Sequence, residues 1–214
     1  MINLEKSMEQ KNLILFIMED VKIDQIFALF FMNPTGRNIA SSKTWKGLKA
    51  PWIGTKNIWD LFAEVNLLNK NTYNKIKSKK GNEWTEDFAR EVYDDVIKHK
   101  YFITNLGKCT QPDARVLPNS VYKQYLQLLE KEIEIIKPKV IILFGNQVSS
   151  IVLNKKISVS QVRKKLFLKD INGTNYKFYS VYYPIGNGRF NINKAIEDIK
   201  WILNKELKKE LKNL

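Results

Sequence analysis

The sequence predicts an α/β fold in which a parallel sheet carries helices on both faces. Short apolar runs rich in β-branched and aromatic residues alternate with segments whose apolar residues recur at helical spacing. This alternation is typical of parallel strands joined by right-handed helical crossovers. The 214 residues contain no internal repeat or linker-like stretch, and they are too few for two comfortable domains. We therefore expect a single domain over residues 1–214.

The first half of the chain is expected to supply two strands. The run 26–32 has the length and aromatic content of a strand buried on both faces, and Pro34 and Gly36 end it. A second run, 101–106, also ends in polar residues. Helices are expected at 4–18 within an N-terminal segment 1–20, at 58–68, and from Thr85 as N-cap to about 100, with a short surface helix or loop over 70–82.

The clearest helix of the chain is predicted at 118–137, where apolar residues keep helical spacing until Pro138 stops the helix. A fully apolar strand follows at 140–144. Gly145 closes that strand, and a helix is expected over 146–153.

The last third of the chain contains a strong hairpin-turn signal at Asn172-Gly173. The segments 165–171 and 176–183 beside it either pair as strands or flank a single turn. A terminal helix is expected from Asn191, ending in a Lys-rich stretch at 204–214.

The chain is strongly basic, with 36 Lys and Arg against 22 Asp and Glu and a formal net charge of +14. Such an imbalance predicts a polyanionic partner, and nucleic acid is the first candidate because it binds basic surfaces through counterion release. An anionic membrane surface, or charge that serves only solvation, is the alternative. No lipidation motif or membrane-length apolar run is present, so we expect no membrane association. The only cysteine, Cys109, allows no internal disulfide and indicates a reducing, cytoplasmic location.

Polar groups stand at the ends of the predicted strands. Asn33 follows the first strand, Asn105 follows the second, and a Gly-rich loop, 184–189, follows the last. Carboxyl ends of parallel strands share one edge of a sheet, which is where α/β proteins bind ligands. For Asn33 alone the competing interpretation is a turn residue that bonds its own backbone.

The long segment 35–56 mixes basic and aromatic side chains, as a stacked, phosphate-bearing ligand requires. Packing within the loop or core is the competing interpretation of its indoles. The basic residues are Arg37, Lys43, Lys46, Lys49 and Lys56, and they are interleaved with Trp45 and Trp52.

Four segments resemble, in order, the motif set of the uracil-DNA glycosylase superfamily. Met32-Asn33-Pro34 is similar to the first motif of the mismatch-specific and single-strand-selective branches. Residues 50–54, Ala-Pro-Trp-Ile-Gly, resemble the Pro-Phe-x-Gly element. Residues 102–109 resemble the Thr-Asn-x-x-Lys-Cys segment of the iron–sulfur branches, and 137–145 resemble the helix-to-strand passage. The resemblance extends over about 26–201.

The resemblance implies an α/β/α sandwich around a four-stranded parallel sheet. It also implies hydrolysis of the N-glycosidic bond of uracil, or a related deaminated base, flipped out of DNA during base excision repair. Met32, Trp52 and Asn105 would then bind the base, with Trp52 stacking on it and Asn105 pairing with the uracil N3–H and O4. Asn33 would orient water, because a carboxamide cannot remove a proton as a carboxylate does.

The chain departs from the family pattern at two places. Most branches have His-Pro in the final motif, and here Tyr183-Pro184 occupies that position, so we expect Tyr183 to act in catalysis and turnover to be slow. Cys109 matches a ligand of the iron–sulfur cluster, but Tyr125 stands where the next cysteine would be. We therefore expect no cluster, no other metal and no cofactor.

The Gly-rich loop occupies the place of the family segment that enters the minor groove. Arg189 or Phe190 is the candidate wedge, and a tight turn before the last helix is the alternative interpretation. The residues expected to contact DNA are Arg37, Lys43, Lys46, Arg163, Gly186, Asn187, Gly188, Arg189 and Phe190. The sequence thus predicts a monomeric, cofactor-free DNA glycosylase, or else a catalytically silent or attenuated DNA- or nucleotide-binding module of the same fold.

Overall fold

The computed structural model describes residues 27–33, 35, 55–108, 111–112, 115 and 117–210. Within these residues a five-stranded sheet has the strand order β2-β1-β3-β5-β4. The first four strands in this order are parallel, and β4 is antiparallel to β5. The strands are β1 Phe27–Phe31, β2 Tyr101–Asn105, β3 Val140–Phe144, β4 Phe167–Ile171 and β5 Thr174–Val181.

The α/β class is confirmed, but the expected four-stranded, wholly parallel sheet is wrong, because a fifth strand, antiparallel to its neighbour, joins the four parallel ones at the edge. The cause is the hairpin turn at Asn172-Gly173. Both residues adopt positive φ, 49° and 83°, which is the geometry of a two-residue turn that folds one strand back on the other. The segment before the turn therefore becomes an antiparallel edge strand rather than a loop.

Helices cover both faces of the sheet. Eight α-helices are present in the part of the chain that the structure describes, together with 3₁₀ turns at Gly81–Glu83 and Gly186–Asn191. The helices are α1 Asn57–Glu64, α2 Lys70–Ser78, α3 Glu86–Lys98, α4 Asn119–Lys123, α5 Leu126–Ile136, α6 Asn146–Val152, α7 Val159–Val162 and α8 Ile192–Glu210.

Several local predictions can be compared with these helices. The Thr85 cap is confirmed, since Thr85 Oγ1 accepts a hydrogen bond from the Phe88 amide at 3.2 Å. The helix predicted over 118–137 is interrupted between α4 and α5, where the Tyr125 amide bonds the Tyr122 carbonyl at 3.0 Å in a tighter i→i+3 turn. The predicted helix at 4–18 lies outside the described residues.

The core consists of two apolar clusters, one on each face of the sheet. In β1, Phe27, Leu29 and Phe31 pack towards α1, α3 and α8, whereas Ala28 and Phe30 pack towards α5 and α6. All five residues are buried, which confirms the prediction of a strand covered on both sides. Because β1 lies between β2 and β3 in the sheet, its carboxyl end lies between theirs. Of the described helices, none combines the length and apolar character needed to cross a membrane.

Candidate functional site

The carboxyl ends of β1 and β2 are held together beyond the last strand residues. Phe31 lies opposite Asn105 in the parallel ladder. The Leu106 amide then donates to the Phe31 carbonyl, and the Gly107 amide to the Met32 carbonyl, both at 2.7 Å. These backbone bonds fix the position of Asn33 relative to the segment that follows β2.

Tyr122 brings a phenol from α4 onto Asn33. Its hydroxyl donates to Asn33 Oδ1 at 2.9 Å, and the residue is 1% exposed. A Cβ added at Gly107 would lie 3.0 Å from Tyr122 Cε1 and 3.2 Å from Asn33 Cβ. Glycine at position 107 is therefore what allows the phenol and the carboxamide to meet. Burial raises the pKa of Tyr122, so its hydroxyl stays protonated at neutral pH.

Tyr183 follows β5 and lies beside the same group of residues. A Cβ on Gly145, at the end of β3, would be 3.2 Å from Tyr183 Cβ. The Tyr183 ring meets the Phe31 ring edge-on, with centroids 6.3 Å apart. Burial, and secondarily the neighbouring Tyr122, raise the pKa of Tyr183 to about 12. At neutral pH its hydroxyl is a hydrogen-bond donor and is not ionised.

The structure thus gathers the two predicted catalytic residues at one edge of the sheet. Asn33 and Tyr183 both keep part of their surface exposed. Tyr122 interacts with both, because it donates a hydrogen bond to Asn33 and helps to raise the pKa of Tyr183. Asn105 is partly exposed at the end of β2. Met32 is partly buried and packs against the cluster on the α5 and α6 face.

Tyr122 is the site residue that the sequence analysis missed. It lies within the helix predicted over 118–137, where aromatic residues count towards the apolar spacing, and its ring does pack in the core. The helical spacing does not show that the helix is interrupted after α4, nor that the Tyr122 hydroxyl lies at the end of β1. Four further predicted residues, Arg37, Lys43, Lys46 and Trp52, lie outside the described residues.

The Gly-rich loop, 184–189, follows Tyr183 and leads into a 3₁₀ turn, Gly186–Asn191, that ends at α8. Gly186 has φ 60°, and a Cβ on Gly188 would lie only 1.8 Å from the Tyr183 carbonyl oxygen. Asn187 belongs to the same turn. Phe190 is 78% exposed, and the Arg189 guanidinium lies 5.0 Å from the centre of its ring. The loop therefore presents an aromatic ring and a cation to solvent.

The side chain of Arg163 is engaged in ion pairs within the fold. Its guanidinium bonds Asp198, which is fully buried, at 2.9 to 3.1 Å, and Glu197 at 2.8 Å. These hydrogen bonds raise the pKa of Arg163. The pairs fasten α7 to α8 and balance the arginine charge, so its predicted contact with DNA would compete with two carboxylates.

A second polar cluster joins the end of β2 and the segment after it to α5. Lys108 Nζ donates to Glu132 Oε2 and to Thr104 Oγ1, both at 2.7 Å, and Thr104 Oγ1 donates to Glu132 Oε2 at 3.1 Å. The Lys108 and Glu132 side chains are 8% and 3% exposed. Burial lowers the pKa of Lys108 and raises that of Glu132, and their mutual attraction opposes both shifts. We call these three residues the buried ionic cluster.

The buried ionic cluster was also missed, although the sequence carries a signal for it. Glu132 stands between Leu129 and Ile133 on the apolar face of α5, and a charged residue at such a position requires a buried partner. Among the described residues, no group of three or more His, Cys, Asp or Glu side chains is arranged to hold a metal ion.

A largely parallel sheet with helices on both faces, and with polar side chains gathered at its carboxyl edge, defines a ligand-binding α/β protein. The family model of the uracil DNA glycosylase superfamily matches residues 41–203, which is most of the chain. The chain belongs to the uracil-DNA glycosylase superfamily, a family of DNA glycosylases that act on damaged bases. Asn105, Tyr122 and Tyr183 lie inside the matched range, and Met32 and Asn33 precede it. A sequence search among curated proteins finds no match.

Proposed function

We propose that the protein is a DNA glycosylase that hydrolyses the N-glycosidic bond of uracil, or of a related deaminated base, flipped out of DNA. The observation that carries this proposal is the Asn33 carboxamide, held at the carboxyl edge of β1 by the Tyr122 hydroxyl at 2.9 Å, with Tyr183 beside it. Family membership supports the reaction class, and this arrangement supports a working site in this chain.

The proposed chemistry breaks the bond between the sugar C1′ and the base nitrogen and forms a bond from C1′ to a water oxygen. The base leaves as an anion and takes up a proton, and an abasic sugar remains in the strand. Asn33 orients the water, and hydrogen-bond donors stabilise the charge that develops on the departing base. Tyr183, protonated at neutral pH because of its pKa of about 12, is placed to supply one such donor.

Recognition of the base is assigned to Asn105 and Trp52. An amide oxygen accepts the uracil N3 proton and an amide NH2 donates to O4, whereas cytosine presents the opposite pattern. Asn105 at the end of β2 lies level with Phe31, one strand away from Asn33. The Trp52 indole would provide the stacking surface, worth about 1 to 3 kcal/mol per base.

Binding to DNA is supported by the charge of the chain and by the Gly-rich loop. A formal charge of +14 gives affinity for phosphates through counterion release. Phe190, 78% exposed, is the side chain best suited to fill the gap left by a flipped base, and Arg189 beside it suits the phosphate backbone. We propose that the protein acts as a monomer, in the cytoplasm.

The test is single-turnover cleavage of a uracil-containing oligonucleotide, single- and double-stranded, with abasic product revealed by alkali. We expect product from the wild-type protein and a rate lower by about 100-fold in Asn33→Ala, because a positioned polar group at the reacting centre is removed. DNA affinity, measured by fluorescence anisotropy, should be unchanged. Asn71→Ala, on the exposed face of α2, is the matched control and should keep the wild-type rate.

An attenuated or silent DNA-binding module of the same fold is the second candidate, favoured by a single observation. A tyrosine, Tyr183, stands where most members of the family have the base-contacting histidine. Tight binding without abasic product, for every base and strand context tried, would decide for this candidate and against the enzyme.

A further inference from the structure

We propose that Tyr122 is a positioning residue, whose hydroxyl anchors the Asn33 carboxamide in the one orientation that serves the reaction. The inference rests on the proposed function, because it concerns the residue that orients water there. It adds a residue from α4 to a site otherwise built from the ends of β1, β2 and β5.

The chemistry of the contact favours one arrangement of the amide. A phenolic O–H is a good donor, while its oxygen is a poor acceptor because a lone pair is conjugated with the ring; an amide oxygen is a strong acceptor. The hydroxyl therefore prefers Asn33 Oδ1 over Nδ2, as the 2.9 Å bond shows. The amide NH2 is then directed away from Tyr122. Donation to the oxygen also polarises the amide and strengthens its N–H groups as donors.

Packing holds the phenol rigidly enough for this task. Tyr122 is 1% exposed and belongs to the same apolar cluster as Phe30 and Leu106. The absence of a side chain at Gly107 lets ring and amide approach, since a Cβ there would be 3.0 Å from the ring and 3.2 Å from Asn33 Cβ. A rigid donor restricts rotation of the Asn33 amide between its two nearly isosteric orientations.

The decisive experiment is a double-mutant cycle between Tyr122→Phe and Asn33→Ala, read by single-turnover base release from a uracil oligonucleotide. In the wild-type background Tyr122→Phe should lower the rate about 10-fold and leave the dissociation constant for DNA unchanged. In the Asn33→Ala background it should cause no further loss, because the amide it positions is gone. Equal losses in both backgrounds, or a loss confined to DNA affinity, would overturn the inference.

Tyr176→Phe is the matched control. Tyr176 is a buried phenol in the same apolar cluster as Tyr122, but it lies at the start of β5, away from the carboxyl edge of the sheet. Removing its hydroxyl leaves the Asn33 contact in place, so the rate should not change. Gly107→Ala provides a second variant that retains the Tyr122 hydroxyl but displaces the ring; it should lower the rate only when Asn33 is present.

A readout that does not depend on catalysis separates this inference from the proposed function. In ¹⁵N NMR spectra the side-chain amide signals of Asn33 are assigned by their loss in Asn33→Ala. Tyr122→Phe should shift these signals, and Tyr176→Phe should leave them in place. If the wild-type protein releases no base and the signals shift, the proposed function fails while the anchoring role stands. Unshifted Asn33 signals in Tyr122→Phe would refute the anchoring role, whatever the activity.

Discussion

The two polar clusters at the carboxyl edge of the sheet differ in charge and in access. The buried ionic cluster joins the end of β2 to α5 through charged groups that solvent barely reaches. The cluster of Asn33, Tyr122 and Tyr183 is neutral at physiological pH, and two of its members keep part of their surface exposed. Charge that is paired and enclosed can hold structure but cannot receive a substrate. The neutral, accessible cluster is therefore the one to which we assign chemistry, and the charged cluster joins β2 to α5.

Removal of the Lys108 ammonium should have the largest effect on stability, and it tests whether the ionic cluster holds the fold together. Lys108→Met leaves the Glu132 carboxylate buried without its cation, and its Oε1 already has no hydrogen-bond partner in the described structure. We expect the free energy of unfolding to fall by about 3 to 5 kcal/mol in urea denaturation. The added substitution Glu132→Leu should restore most of this loss, because it removes the unpaired charge.

An exposed ion pair provides the control for Lys108→Met. Lys75 and Glu91 lie 2.6 Å apart on the surface, with side chains 45% and 42% exposed. Lys75→Met should not change the urea midpoint measurably, because solvent screens such a pair. A similar loss of stability in Lys75→Met and Lys108→Met would mean that burial does not make the ionic cluster more important than an exposed ion pair.

The pKa of Tyr183 predicts the next effect, which appears only at high pH. The unfolded chain loses this proton near pH 10, and the folded protein keeps it to about 12. Between these values the unfolded chain has lost a proton that the folded protein still holds, so each rise of one pH unit lowers the free energy of unfolding. From pH 10 to 12 this free energy should fall by about 3 kcal/mol more in the wild-type protein than in Tyr183→Phe. Denaturant titrations of both proteins from pH 8 to 12 measure this. Parallel curves over the whole range would contradict the burial of the Tyr183 hydroxyl.

Thr104→Val should have the smallest effect on stability, and it tests whether the two clusters act independently. The substitution removes one hydroxyl that accepts from Lys108 and donates to Glu132, but keeps the ion pair and the side-chain shape. A loss of about 1 kcal/mol in the free energy of unfolding is expected. Base release should not change, because Thr104 lies in the ionic cluster. A selective fall in the catalytic rate would show that the two clusters work as one.

The sequence was sufficient where a single strong pattern determined local structure. The ends of β1, β2 and β3 were predicted within one or two residues, because each apolar run stops at polar or glycine residues. Periodicity did not distinguish helix from ordered turn: the apolar pattern of 58–68 extends past the end of α1 at Glu64, yet Val65 and Leu68 are buried. An apolar pattern shows which residues are buried, but it does not show whether the backbone that carries them remains helical.

The site was predictable only in part, for a physical reason. Asn33 could be named because strand ends of a parallel sheet converge by topology, and Tyr183 because Tyr183-Pro184 stands where the family pattern has His-Pro. Tyr122 and the buried ionic cluster depend on contacts between residues 89 and 24 positions apart in the chain, which leave no periodic trace. For β4 the sequence left two possibilities open, a paired strand or the flank of a turn, because an edge strand lacks the continuous apolar run of the inner strands; in the structure Leu168 and Asp170 are exposed.

The close approach of Gly188 to the Tyr183 carbonyl has a consequence for reading related sequences. No side chain fits there, since even a methyl group would come within 1.8 Å of that oxygen. A relative with any other residue at this position must route its loop differently and thereby move the ring of the following aromatic residue. Glycine at the position of 188 is thus a marker for relatives that share this loop path, and it can be looked for without knowing their activity.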